Sequence, residues 1–169
     1  IFYKDETLTP YHLALLNSKA STEVFKVLSP TLNYEAGHVA SFPVMLRNKE
    51  EICSKALNNI SISKADWDAH ETSWDFKRNP LWKQQLSTVL FEMQDLGAMS
   101  REATVDEIGP FNLPDSLQPL EIIVDNYCAE WEDLFHQLHS NEEELNRQFI
   151  EIYGLQEELT PNVPLDEIT

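Results

Sequence analysis

Leu120, Val124, Tyr127, Trp131, Leu134 and Leu138 follow one another at steps of four and three, and Leu145, Phe149 and Ile152 continue the stripe. Such spacing puts apolar side chains on one helical face. It predicts a single helix over residues 116–153, a rod of roughly 50 Å at about 1.5 Å per residue. A stripe that long needs a partner along its length. The simplest candidate is the helix that Asn79-Pro80 opens, with Leu81, Leu86, Val89, Leu90, Met93 and Leu96 on one face, folding back antiparallel. Asn141 falls on the stripe, where a polar residue can fix register. Gly154 is the expected left-handed stop, followed by a tail punctuated by Pro161 and Pro164.

Upstream, Thr9-Pro10 reads as a helix start, with Leu13, Leu16, Ala20, Val24 and Val27 recurring until Ser29-Pro30 stops the helix. Residues 31–44 hold Gly37 and Pro43 without helical period and read as short extended pieces joined by a turn. Asn48 with Glu51, and Ser63 with Asp66, are two capping-box signatures, predicting one helix to about residue 58 and a short one over 64–72. Residues 98–115 carry Gly109-Pro110 and Pro114 and read as a loop. The expected fold class is mainly α: a helical module with a long antiparallel helix pair and a small extended or β region near the N-terminus.

The charge is unevenly distributed. The chain of 169 residues carries a net −17. Residues 1–90 hold ten basic and ten acidic side chains, whereas residues 91–169 hold only Arg101 and Arg147 against 19 acids. A polyanion such as DNA is repelled by the second half and tolerated only by the first. With 42% apolar and 24% charged residues, the composition is that of a globular protein. No run of 18 apolar residues exists to span a membrane. Cys53 and Cys128, isolated and without framework spacing, fit a reducing, cytoplasmic setting. The first residues lack both an initiator Met and a signal-peptide pattern, which reads most simply as a fragment of a longer protein.

Catalytic signatures are absent: there is no glycine-rich phosphate loop, no Gly-x-Ser-x-Gly elbow and no paired-Cys spacing. His136 and His139, three apart near Glu132, Asp133 and Glu143, could share a metal; the plainer reading is two exposed histidines on an acidic helix. The run Glu142-Glu143-Glu144 reads as a solvated face. Trp67, Trp74, Phe76 and Trp82 are interleaved with Lys64, Lys77, Arg78 and Lys83. One reading is a nucleic-acid surface, with cations on phosphates and rings stacked on bases. The other is a core corner with solvated charges, since Asp66, Asp68, Glu71 and Asp75 dilute the positive field.

Three stretches carry a resemblance. Leu15 to Lys19, followed by Ser29 to Tyr34 and Gly37, resembles the end of a target-recognition region in restriction-modification methyltransferases. Ser63 to Asp68 with Glu71 to Leu81 is similar to the adenine-specific DNA methyltransferases of the BREX phage-defence system, the PglX family. Asn141 to Arg147, running into Ile152 to Leu155 and Glu158 to Pro161, fits the same family. The resemblance implies a parent enzyme that transfers a methyl group from S-adenosylmethionine to adenine N6 in duplex DNA. The family's catalytic Asn-Pro-Pro-Tyr does not occur in these 169 residues, nor does its glycine-bearing cofactor motif. Residues 1–46 are then expected to end the target-recognition region and residues 47–169 to form a helical spacer. The candidate DNA-binding residues are Asn33, Tyr34, His38, Lys64, Lys77 and Arg78. His38 stands where the family pattern calls for an acidic residue. The alternative, from a different class, is an acidic helical module that docks a protein partner of the defence complex without touching DNA.

Overall fold

The computed structural model describes residues 6–29, 35–82 and 120–165. These residues are mainly helical, and no strand occurs among them. A short 3-10 turn, Glu6–Leu8, leads into α1 (Thr9–Leu16), α2 (Lys19–Leu28), α3 (Ala36–Ala40), α4 (Lys49–Ala69) and α5 (Leu120–Tyr153). The chain divides into two compact units: Ile1–Ser63 with Phe135–Thr169, and Lys64–Leu134.

The first unit is built on aromatic and aliphatic side chains from both ends of the sequence. Tyr11, Leu15, Ala20, Phe25, Phe42, Ile52, Ala56, Leu145, Phe149 and Ile152 form one buried cluster. Tyr11 meets Phe149 edge-on, with ring centroids 5.6 Å apart, and Phe25 meets Phe42 at 5.0 Å. Two tyrosine hydroxyls hold the irregular segment between α3 and α4. Tyr11 donates to the Met45 carbonyl at 2.7 Å and accepts from the Arg47 N–H, and Tyr153 donates to the Pro43 carbonyl at 2.6 Å.

The single helix expected from Pro10 to residue 28 is instead two. Ser18, in extended backbone, caps α2 by accepting from the Ser21 N–H at 3.2 Å, and its own hydroxyl donates to the Leu15 carbonyl. From α5, the Asn146 side-chain oxygen accepts from the Lys19 N–H at 2.9 Å. The break resets the helical phase. Phe25 therefore becomes core, while Val27 is 84% exposed. Thr9 lies inside α1, and Leu8 takes the cap position.

Of the extended pieces expected over residues 31–44, those at 31–34 lie outside the described residues, and no strand occurs over residues 35–44. Residues 36–40 form the one-turn α3, and residues 42–47 are irregular. The two expected helices over 49–72 are one continuous α4, because nothing from Lys49 to Ala69 breaks a helix and Ser63 is left as an ordinary exposed helical residue. Asn48, directly before α4, has φ 49°, a left-handed conformation that asparagine tolerates.

In α5 the stripe is borne out from Leu138 onward: Leu138, Leu145, Phe149 and Ile152 are buried. Asn141 donates to the side-chain oxygens of Asn58 and Asn59, each at 2.8 Å, so in the first unit this stripe lies against α4. The helix that Pro80 opens begins as expected, with the Asn79 side chain accepting from the Leu81 N–H at 2.9 Å. Its continuation and its pairing fall outside the described residues. Gly154 ends α5 at φ 70°: the Leu155 N–H reaches back to the Ile150 carbonyl and the Gly154 N–H to that of Glu151. This is the Schellman arrangement, with Leu155 packed on the core.

Beyond Gly154 the tail is strapped down. Lys19 Nζ donates to the Asn162 carbonyl, His139 Nε2 to the Val163 carbonyl at 2.8 Å, and the Val163 N–H to Glu143 Oε1 at 3.1 Å.

Candidate nucleic-acid interface

The second unit holds the basic and aromatic residues singled out from sequence. After α4 ends, the chain turns through residues 70–76 on successive short-range bonds, from the His70 N–H to the Trp67 carbonyl, Ser73 to His70, and Phe76 to Ser73. Buried Ser73 organises this turn: its hydroxyl donates to Asp68 and accepts from the Asp75 N–H, both at 3.3 Å. Lys64 clamps it from the helix, donating to Asp68 at 2.7 Å and Asp75 at 2.8 Å. The two carboxylates raise the Lys64 ammonium above its ordinary range, and Lys64 in turn lowers the Asp75 carboxyl.

The turn and the residues that flank it leave aromatic rings in solvent. Trp74 is fully exposed, Trp67 and Trp82 are exposed, and Phe76 is half-buried. The three tryptophans therefore do not form the core corner that one sequence reading offered. Lys77 and Arg78 follow on the same exposed stretch. Exposed indoles and cations within sixteen residues of sequence are the side-chain types that stack on planar groups and neutralise phosphates.

Of the six candidate residues, Lys77 and Arg78 lie together on this stretch, and Lys64 is committed to a structural clamp. His38 lies in the other unit, on α3, where its Nδ1 accepts from the Glu35 N–H at 3.2 Å. That is the third helical position of a capping box, a place where an acidic side chain serves equally well. Asn33 and Tyr34 lie outside the described residues.

His139 is engaged by the tail carbonyl and lies 3.4 Å from Glu143. Among the described residues, no cluster of three His, Cys, Asp or Glu is placed to hold a metal. Glu143 is bound to the tail, and Glu144 is paired with Arg147 and accepts from Gln148 at 3.1 Å. Glu142 alone of the three has neither hydrogen bond nor ion pair among the described residues. No helix among the described residues is long and apolar enough to cross a membrane.

Comparison with known proteins points to one class, the adenine-specific methyltransferases. The chain is 32% identical over 160 residues, 95% of its length, to the adenine-specific methyltransferase PglX of Lacticaseibacillus casei (strain Zhang). It is 30% identical over 154 residues, 90% of its length, to the adenine-specific methyltransferase BrxX of Escherichia coli (strain HS). The chain spans only 11% and 10% of these two relatives. No family model and no solved structure matches it. The resemblance to the PglX family carried by the three sequence stretches thus extends along nearly the whole chain.

Proposed function

We propose that this chain is a non-catalytic segment of a site-specific, S-adenosylmethionine-dependent adenine-N6 DNA methyltransferase of a restriction-modification or BREX phage-defence system. The observation that carries this reading is the match along 95% of the chain to a methyltransferase of which it spans about a tenth. Residues 1–46 end the target-recognition region, and residues 47–169 are a helical spacer. Methyl transfer and cofactor binding reside in other parts of the parent protein, because neither Asn-Pro-Pro-Tyr nor a glycine-bearing cofactor motif occurs here. A base to be methylated must leave the stack at a cost of about a few kcal/mol, so the parts that grip the duplex must be held rigidly apart. Long helices suit that task.

DNA is approached by the electrically neutral half of the chain, with Lys77 and Arg78 on phosphates and Asn33, Tyr34 and His38 as further contacts. In the parent enzyme, Lys77→Ala with Arg78→Ala weakens DNA binding and flattens the dependence of affinity on salt by about one unit of slope per lost phosphate contact. An unchanged slope removes both residues from the DNA surface.

A second reading, an acidic helical face that docks a protein partner without DNA contact, is favoured by the −17 charge confined to residues 91–169 and by the unpaired Glu142. Loss of complex assembly on altering Glu142 to Glu144, with DNA affinity intact, supports it.

A further inference from the structure

In the first unit, α1, α4 and α5 enclose an open cavity of about 580 Å³. Leu13, Ile60, Leu138 and Leu145 supply its apolar wall, and Asn59 and Glu142 are among its polar residues. Leu138 and Leu145 are buried, but Leu13 and Ile60 keep 44% and 39% of their surface in water, so the rim is apolar and open. Among the described residues, no basic side chain lines the cavity.

Glu142 is the chemically unusual member. It is half-buried and makes no hydrogen bond or ion pair among the described residues, and burial pushes its carboxyl above the ordinary carboxylate range, with the nearby charge of His139 acting the other way. Its oxygens, which take no hydrogen bond from the described residues and are not among the fully buried unsatisfied atoms, are open to a donor that enters the cavity. An anionic ligand meets repulsion there, and a purely apolar one leaves the carboxylate unpaired. What satisfies both walls is a cation on an apolar stem. The planar guanidinium of arginine grips a carboxylate with two parallel hydrogen bonds, and its methylenes cover aliphatic surface.

We propose that this cavity receives one arginine side chain from a basic segment of a protein partner, with the guanidinium on Glu142 and the stem against Leu13, Ile60, Leu138 and Leu145. The proposal rests on the docking reading and is independent of DNA contact.

The test is an NMR titration of the 169-residue chain with acetyl-Leu-Arg-Leu-amide and with the same peptide carrying citrulline, the neutral isostere of arginine. The expected result is shift changes centred on Leu13, Ile60 and Glu142, with the citrulline peptide weaker by about tenfold or more, roughly 1.4 kcal/mol. Glu142→Gln, checked for an unchanged fold by its melting curve and spectrum, loses binding by a similar factor, whereas Glu144→Gln stays within about twofold. Equal affinity for citrulline, or equal loss from both variants, overturns the cavity. Arginine-dependent shifts elsewhere on the acidic helices would overturn the cavity but keep the docking reading. No arginine-dependent shift anywhere on those helices would overturn both.

Discussion

The Lys19 backbone N–H donates to the Asn146 side-chain oxygen at 2.9 Å, joining the first turn of α2 to α5 across 127 residues of sequence. Asn146 is 7% exposed, so the helix start it serves has little water to replace it. Asn146→Ala leaves that part-buried N–H without its side-chain acceptor, and the expected loss is about 1–2 kcal/mol of stability. Calorimetry and amide exchange check this together: the melting temperature falls by several degrees, and the Lys19 amide exchanges faster than its neighbours in α2. An amide as protected as before contradicts the capping role.

Tyr11 combines a fully buried ring with a hydroxyl that donates to Met45 and accepts from Arg47. Tyr11→Phe keeps the ring and strands the Met45 carbonyl, at an expected cost of about 1–2 kcal/mol near neutral pH. Burial raises the Tyr11 hydroxyl above the ordinary tyrosine range. The folded state therefore holds this proton more tightly than the unfolded state. Its contribution to stability is complete below pH 10 and is lost as pH rises through the folded value. Melting curves at pH 9 and pH 11 should show a smaller alkaline loss in Tyr11→Phe than in the parent chain.

Gly154 sits at φ 70° with nothing within 4 Å of the place a Cβ would occupy. Space is not the constraint; the left-handed backbone is. Gly154→Ala should cost about 1–2 kcal/mol and Gly154→Asn less, because asparagine tolerates that region. Urea titrations of the three chains test the order, which fails if alanine and asparagine are equivalent.

Trp74 touches so little of the fold that its removal should leave stability within about 0.5 kcal/mol of the parent chain. If it stacks on nucleic acid, Trp74→Ala in the full-length parent protein should lower DNA affinity by about 1–3 kcal/mol. A DNA-binding titration beside a melting curve separates the two effects. A large drop in stability with unchanged DNA affinity would make Trp74 structural.

The sequence was most legible where a periodic pattern met a strong terminator. The α5 stripe from Leu138 to Ile152, its stop at Gly154 and the start at Asn79-Pro80 could all be read from spacing and cap chemistry, whereas the α4 partners of Asn141 could not. It was least legible where satisfaction came from far away. The break at Ser18 is hidden because Leu13, Leu16, Ala20 and Val24 continue a helical period across it, and one of the groups that stabilises it is Asn146. At Ser63 the error was the reverse, since a Ser-x-x-Asp pattern inside an unbroken helical stretch mimics a cap. For the candidate interface, the aromatic and basic interleaving was visible. That Lys64 would be taken by Asp68 and Asp75 was not, because Asp75 lies across a turn whose geometry Ser73 sets.

The meeting of Tyr11 with Phe149 also has a consequence in time. During synthesis α1 leaves the ribosome long before α5 exists. At about 5–20 residues per second, its aromatic partner follows roughly 7–28 seconds later. Through that interval Tyr11 and Leu15 lack the surface that buries them in the finished unit. The apolar face of α1 therefore waits uncovered until α5 has been made.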